Sequence, residues 1–184
     1  MQFFLEVLIG GLLSGVMYAL VALGYVLIYK ASGVFNFAQG AMVFFAALTF
    51  VGITEMGVPF GFALILALGA MILLAIATER VVLRPLVNQP QITLFMATIG
   101  LTFLIEGLAQ GMWGASVRGL EIPGIQDEPL EWMMENTGIG VSKFDLFAAG
   151  VSAVLVVVLA VFFNKTRVGR ALRAVADDHQ AALA

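Results

Sequence analysis

No cysteine occurs anywhere in the 184 residues, and histidine occurs once, at His179. The first absence excludes disulfides and thiolate metal sites, and the second leaves no histidine cluster to hold a metal. Charge is also scarce. Asp, Glu, Lys and Arg make up 11% of the chain, where a soluble domain carries about a quarter. There is no phosphate-binding GxxxxGK[ST], no zinc-binding HExxH and no GxSxG nucleophile elbow. Asp177 and Asp178 are adjacent, so on a helix they point about 100° apart and do not form an acid/base couple by spacing. No residue is therefore assigned to catalysis or metal binding, and no cofactor is expected.

What the chain has is apolar surface: 61% of its residues, with a mean hydropathy of +1.04. That composition defines an integral membrane protein. The start, MQFFLEVLIG, lacks the basic region of a signal peptide, and its apolar run continues to Tyr29, so it reads as a retained span. The expected fold is all-α, a polytopic transmembrane bundle with five spanning helices. These cover about Leu5–Tyr29, Val34–Thr54, Phe60–Val82, Ile92–Met112 and Phe144–Phe163.

Several positions inside these spans stand out. Gly11, Gly15, Ala19 and Ala22 form a groove of small side chains that suits close helix packing. Asn36 and Gln39 fall one turn apart at the start of the second span. They are either interfacial or part of a solute path, because amides inside a bundle need partners or water. Glu106 is the one carboxylate more than a turn inside a span; Glu6, Glu79 and Asp145 fall in the first or last turn of theirs. Glu106 either serves the path or snorkels and bonds structurally, being about a turn and a half from the helix end. Between the fourth and fifth spans, residues 113–143 form an acidic loop with Glu121, Asp127, Glu128, Glu131 and Glu135. Asp127 or Glu128 before Pro129 reads as a short helix start and Gly138 as its stop, with Trp113 and Trp132 at headgroup level.

The bases set the orientation. Five alternating spans place Lys30, Arg80, Arg84, Lys165, Arg167, Arg170 and Arg173 on one side and only Arg118 and Lys143 on the other. By the positive-inside rule the N-terminus and the acidic loop face outward, and residues 164–184 are cytoplasmic. In that last segment Val168, Ala171, Leu172, Val175 and Ala176 recur as one face of a helix too short to span a bilayer. Such a helix lies on the membrane surface or docks onto a partner.

Four separated stretches agree in order and spacing with a known family. They are GLLSGVMYALVALGYVLIYKASGVFNFAQGAM, ERVVLRPL, TLFMATIGLTFLIEGLAQGMWG and TRVGRALRAVADDHQAALA. Together they resemble the permease subunits of branched-chain amino acid ABC importers, the high-affinity leucine/isoleucine/valine type, whose relatives serve urea and short-chain amides. The resemblance implies a multi-pass bacterial inner-membrane subunit with no ATPase activity of its own. Its implied partners are a second homologous permease, two cytoplasmic ATP-binding subunits, a periplasmic solute-binding protein and the lipid bilayer, and no nucleic acid. Gly169, Arg170, Ala171, Arg173, Ala174, Asp177 and Asp178 match the family's cytoplasmic G-R-A-x-R-A pattern with trailing acids, which implies ATPase coupling. Asn36, Phe37, Ala38 and Gly40 match its N-F-A-x-G motif, where many relatives carry histidine at the position of Gln39. That departure argues against a proton-linked role there. Family members have more than five spans, so the resemblance also implies that residues 1–184 are one permease domain, partial, ending within the cytoplasmic loop.

Two other readings remain at this stage. A self-contained secondary carrier or channel would need coupling-ion ligands or paired intramembrane charges, and Glu106 alone supplies little of either. A membrane-anchored structural protein explains the hydrophobicity but not Asn36, Gln39 and Glu106 in glycine-punctuated spans.

Overall fold

The computed structural model describes residues 2–33, 35–86, 88–120, 128–131, 134–135, 138, 140–166 and 169. A backbone in hydrocarbon must satisfy its own N–H and C=O groups, which a helix does within one segment. Among the described residues the chain forms five such helices: α1 (Gln2–Ser32), α2 (Gln39–Glu55), α3 (Phe60–Ala77), α4 (Gln91–Trp113) and α5 (Lys143–Lys165). Four helical stretches, Phe3–Lys30, Phe60–Leu86, Gln91–Trp113 and Lys143–Lys165, are long and apolar enough to cross a membrane. The fifth helix, α2, is apolar but has 17 residues, about 26 Å at 1.5 Å per residue. The fold is thus the expected all-α polytopic bundle, with a second helix shorter than the sequence suggested.

That shortening has a local cause. Gly33 adopts a φ of 69°, and the Asn36 side-chain Oδ1 accepts the Ala38 N–H at 3.1 Å. An Asn side chain that bonds two residues ahead builds a turn in competition with helix. Helix α2 therefore starts at Gln39, not at residue 34. Pro85 acts similarly at the far end of α3. It has no N–H to give the preceding turn, and the chain passes from α-helix into a π-helical stretch, Thr78–Leu83, and then a 3-10 turn, Arg84–Leu86.

The chain divides into two compact units. In the unit Val34–Glu121, α2 packs against both α3 and α4. Its centre is a cluster of Ala38, Ala41, Phe45, Leu101, Ile105 and Ala109, with Met71 and Leu74 of α3 against it. Thr98, Leu101, Ile105 and Ala109 recur every three or four residues, so α4 turns one face to the cluster. Alanine predominates there because lipid offers no hydrophobic gain for burying leucine, so contact depends on close approach. Phe37 meets Phe95 edge-on at 4.7 Å near the N-terminal ends of α2 and α4. At their C-terminal ends Trp113 Nε1 donates to Thr49 Oγ1 at 3.3 Å. The two helices therefore run parallel, and α3 returns antiparallel against α2, with Phe50 on Phe60 at 5.2 Å beside the α2–α3 turn.

The other unit comprises Met1–Gly33 and Ile122–Ala184, in which α1 packs against α5. Ser142 caps α5, its hydroxyl accepting the Phe144 and Asp145 N–H groups at 3.1 and 3.4 Å. Asp145 in the first turn and Lys165 in the last complement the helix dipole. Ahead of the cap, Leu130 N–H donates to the Val141 carbonyl and Lys143 N–H to that of Glu128. Lys143 Nζ also lies 3.7 Å from Glu128. Within the loop, Met134 N–H bonds Leu130 and Gly138 N–H bonds Met134, both helical steps. Gly138 has a φ of 68°, as its expected role as a stop requires. Trp132, Glu121 and Asp127 lie outside the described residues.

Gly52 faces the indole of Trp113 so closely that a Cβ there would sit 2.1 Å from the ring. Gly52→Ala is expected to displace the indole and cost about 1–3 kcal/mol, lowering the thermal midpoint of the detergent-solubilised protein by about 3–8 °C. Gly61→Ala, which meets nothing within 4 Å, is the control and should melt as the unmodified chain does.

Candidate translocation and coupling sites

Asn36 and Gln39 both lie at the start of α2, but only Gln39 belongs to the helix. Asn36 is half-buried and its carbonyl accepts the Gln39 N–H at 3.3 Å. Its Nδ2 approaches Met42 Sδ at 3.9 Å. Its side chain thus shapes the turn into α2, whereas Gln39 is buried at 8% exposure against the alanine-rich cluster. Glu106 lies far from this pair. Phe95 marks the level of Phe37, and Glu106 is eleven residues further along α4, about 16 Å along the axis. The three polar positions therefore mark two levels of one unit and do not form a cluster. Glu106 is half-buried and makes no hydrogen bond or ion pair among the described residues. With Thr102 four residues before it and Gln110 four after, it belongs to a polar stripe that drifts off the buried face of α4.

That stripe leads to a feature the sequence did not single out. Helix α4 ends at Gly114, whose φ of 83° suits glycine and whose N–H returns to the Gln110 carbonyl at 2.8 Å. The chain then doubles over the C-terminal end of α2. Arg118 donates to both the Glu55 carboxylate and the Trp113 carbonyl. The ion pair is part-exposed, with side-chain exposures of 22% and 48%. Such a pair contributes only about 0–1 kcal/mol, and its main effect is geometric. Beneath this strap is a cavity of about 400 Å³. Phe44, Ala47, Leu48 and Val51 of α2 form its apolar wall, and Gln110, Ser116 and Arg118 supply its polar groups.

Of the residues expected to couple to the ATPase, only Gly169 is described; Arg170, Ala171, Arg173, Ala174, Asp177 and Asp178 lie outside the described residues. Gly169 is buried, and a Cβ on it would sit 2.5 Å from the Phe163 backbone. Thr166 makes this junction. Its hydroxyl donates to the Phe162 carbonyl at 2.7 Å, closing α5, and accepts the Gly169 N–H at 3.0 Å. An extended residue whose oxygen takes the N–H three residues on has the geometry of a helix N-cap. A threonine three residues before the G-R-A pattern was the available sequence signal. The small-residue groove on α1 meets no neighbour among the described residues: Gly11, Gly15, Ala19 and Ala22 are all exposed, and nothing lies within 4 Å of a Cβ at either glycine.

Long apolar helices with polar groups gathered near their ends define a multi-pass membrane protein. Comparison with known sequences makes the class specific. Residues 7–184 match the family described as branched-chain amino acid transport system/permease component, and the chain belongs to that family. It is similar to the high-affinity branched-chain amino acid transport system permease protein LivH of Escherichia coli, 26% identical over 188 residues. LivH of Salmonella typhimurium is 26% identical, and the permease protein BraD of Pseudomonas aeruginosa 27% identical over 187 residues. These alignments cover 95–96% of this chain and 60% of each relative, so the chain spans about three-fifths of the length of the curated relatives it matches. No solved structure matches the chain.

The Thr166 junction gives a direct prediction. In the full-length protein Thr166→Val should weaken the turn by about 1 kcal/mol, so that hydrogen exchange at the Gly169 amide runs roughly fivefold faster. Thr166→Ser should restore the slow rate. Equal exchange in all three proteins would show that the hydroxyl does not hold the turn.

Proposed function

We propose that this chain belongs to the translocating subunit of an ATP-driven importer for branched-chain amino acids or closely related small solutes in a bacterial inner membrane. The observation that carries the reading is the family match across residues 7–184, reinforced by similarity to permease proteins of high-affinity branched-chain amino acid transport systems. ATP hydrolysis is placed on partner subunits. The complex comprises a second permease of the same type, two ATP-binding subunits and a periplasmic solute-binding protein. The α1 groove at Gly11, Gly15, Ala19 and Ala22 is proposed to pack against a helix outside those described here.

The proposed orientation puts the N-terminus and residues 113–143 outside and residues 164–184 in the cytoplasm, supported by the seven-to-two distribution of bases. Parallel α2 and α4, with α3 running back against α2, fit three alternating crossings. In this arrangement the Gly169–Asp178 segment receives the movement of the ATPase pair. Thr166 bonds both the end of α5 and the start of that segment, and so links the two. Asn36, Gln39 and Glu106 are the proposed polar positions of the solute path.

Cells expressing the full-length importer should take up leucine in an ATP-dependent manner. Arg173→Glu should reduce that uptake at least about tenfold while the permease remains in the membrane, as expected for loss of a docking charge. Normal uptake by this variant would remove the coupling assignment. Because the chain has no cysteine, single cysteines report orientation without background. Lys143→Cys should react with an impermeant maleimide in intact cells stripped of outer membrane, and Arg84→Cys only after permeabilisation. The reverse pattern would invert the proposed topology.

A further inference from the structure

The cavity below residues 114–118 has the size and lining of a small-solute site. Such sites are usually about 300–1,000 Å³, mostly apolar, with a few convergent polar groups, and this one is about 400 Å³. Its long wall is the aliphatic and aromatic face of α2, and its polar groups are the Ser116 hydroxyl, the Gln110 amide and the Arg118 guanidinium. Arg118 is held in place by Glu55 and the Trp113 carbonyl. A guanidinium has five N–H donors, so these two bonds leave others for a carboxylate. Its Nε is buried without an acceptor among the described residues, which leaves the group under-satisfied. Glu55 does not line the cavity but bonds Arg118, which does, through Oε2; it is about half exposed, so its other oxygen is open to an ammonium at the cavity edge.

We propose that this cavity is a binding site, within the permease itself, for a free zwitterionic amino acid with an aliphatic side chain. The carboxylate lies on Arg118 and Ser116, the ammonium on Glu55, and the side chain against Ala47, Leu48 and Val51. This rests on the transport reading above and adds a site to it, apart from Asn36, Gln39 and Glu106. A zwitterionic phospholipid shares the headgroup chemistry, but its two acyl chains are far larger than the cavity. The charge arrangement also requires both signs at once. A fatty acid lacks the ammonium and an alkylamine lacks the carboxylate.

The test uses the full-length permease purified with its partner subunits in nanodiscs, without the binding protein, and tritiated leucine as the probe. Saturable binding is expected in the wild type and in Gly61→Ala, which lies outside the cavity. Ala47 is exposed on the cavity wall, so Ala47→Phe fills the space without entering the buried α2–α4 contact and should weaken binding at least about tenfold. Arg118→Gln and Glu55→Gln should each weaken leucine binding about tenfold, and 4-methylpentanoate and 3-methylbutylamine, each lacking one of the two charges, should compete poorly with leucine in the wild type. The proposal is overturned if the wild type shows no saturable binding or if Ala47→Phe and Arg118→Gln bind as wild type. It also fails if mass spectrometry finds a tightly held phospholipid that Ala47→Phe removes. ATP-driven leucine uptake by the wild type, measured in cells, separates the two levels. Uptake without the site sinks this inference alone, whereas absence of uptake sinks the transport reading.

Discussion

Helix α2 reaches α4 only because alanine and glycine line the seam between them. In water, larger apolar residues would strengthen such a contact by leaving solvent; in lipid that gain vanishes and only close packing remains. Ala38, Ala41 and Ala109 are buried to 3% exposure or less. Phe45 and Ile105 fill the space those small residues leave. At the C-terminal end the same logic reaches its limit, because Gly52 has no side chain and the Trp113 indole occupies that position. From there the consequences follow along the chain. Trp113 fixes the end of α4, its carbonyl and Glu55 fix Arg118, and Arg118 with the adjoining residues roofs the cavity against α2.

Polar groups are placed where the backbone needs them or where water can reach them. Asn36 forms a turn, Ser142 opens α5, and Thr166 closes α5 while starting the next turn. Each satisfies N–H groups that a helix end leaves open, and at the edge of hydrocarbon such groups cannot be left to solvent alone. Glu106 is the exception, a part-buried carboxylate with no partner among the described residues. Its position on the stripe running from Thr102 to Gln110 connects it with the cavity end of α4. The π-helical stretch before Pro85 is a different accommodation. A missing donor is absorbed by rearranging the hydrogen-bond ladder, and the helical path runs on from α3 through the π-helical stretch to Leu86.

The helices were legible in the sequence because a long apolar run has few other stable forms in a bilayer. Composition alone carries that constraint. Pro59 and Pro90 directly precede α3 and α4, and four motif-bearing stretches carry the family resemblance. The start of α2 was misplaced by five residues, since the apolar pattern continues through the turn and does not record the Asn36 bond to Ala38. Asn36 and Gln39 looked like a pair because spacing assumes a helix that begins only at Gln39. Trp113 was read as a headgroup anchor. Its stacking on Gly52 and its bond to Thr49, sixty-four positions away, cannot be read from local pattern.

By itself, then, the sequence determined that the chain crosses a membrane as helices, where those helices lie to within a few residues, and the family it belongs to. All of these follow from local hydropathy or from contiguous motifs. Which faces of α2 and α4 meet, that Arg118 pairs with Glu55, and that a cavity lies beneath them were decided only by tertiary structure. Those features depend on side chains more than sixty residues apart coming within a few ångströms, a distance set by the small residues on the seam.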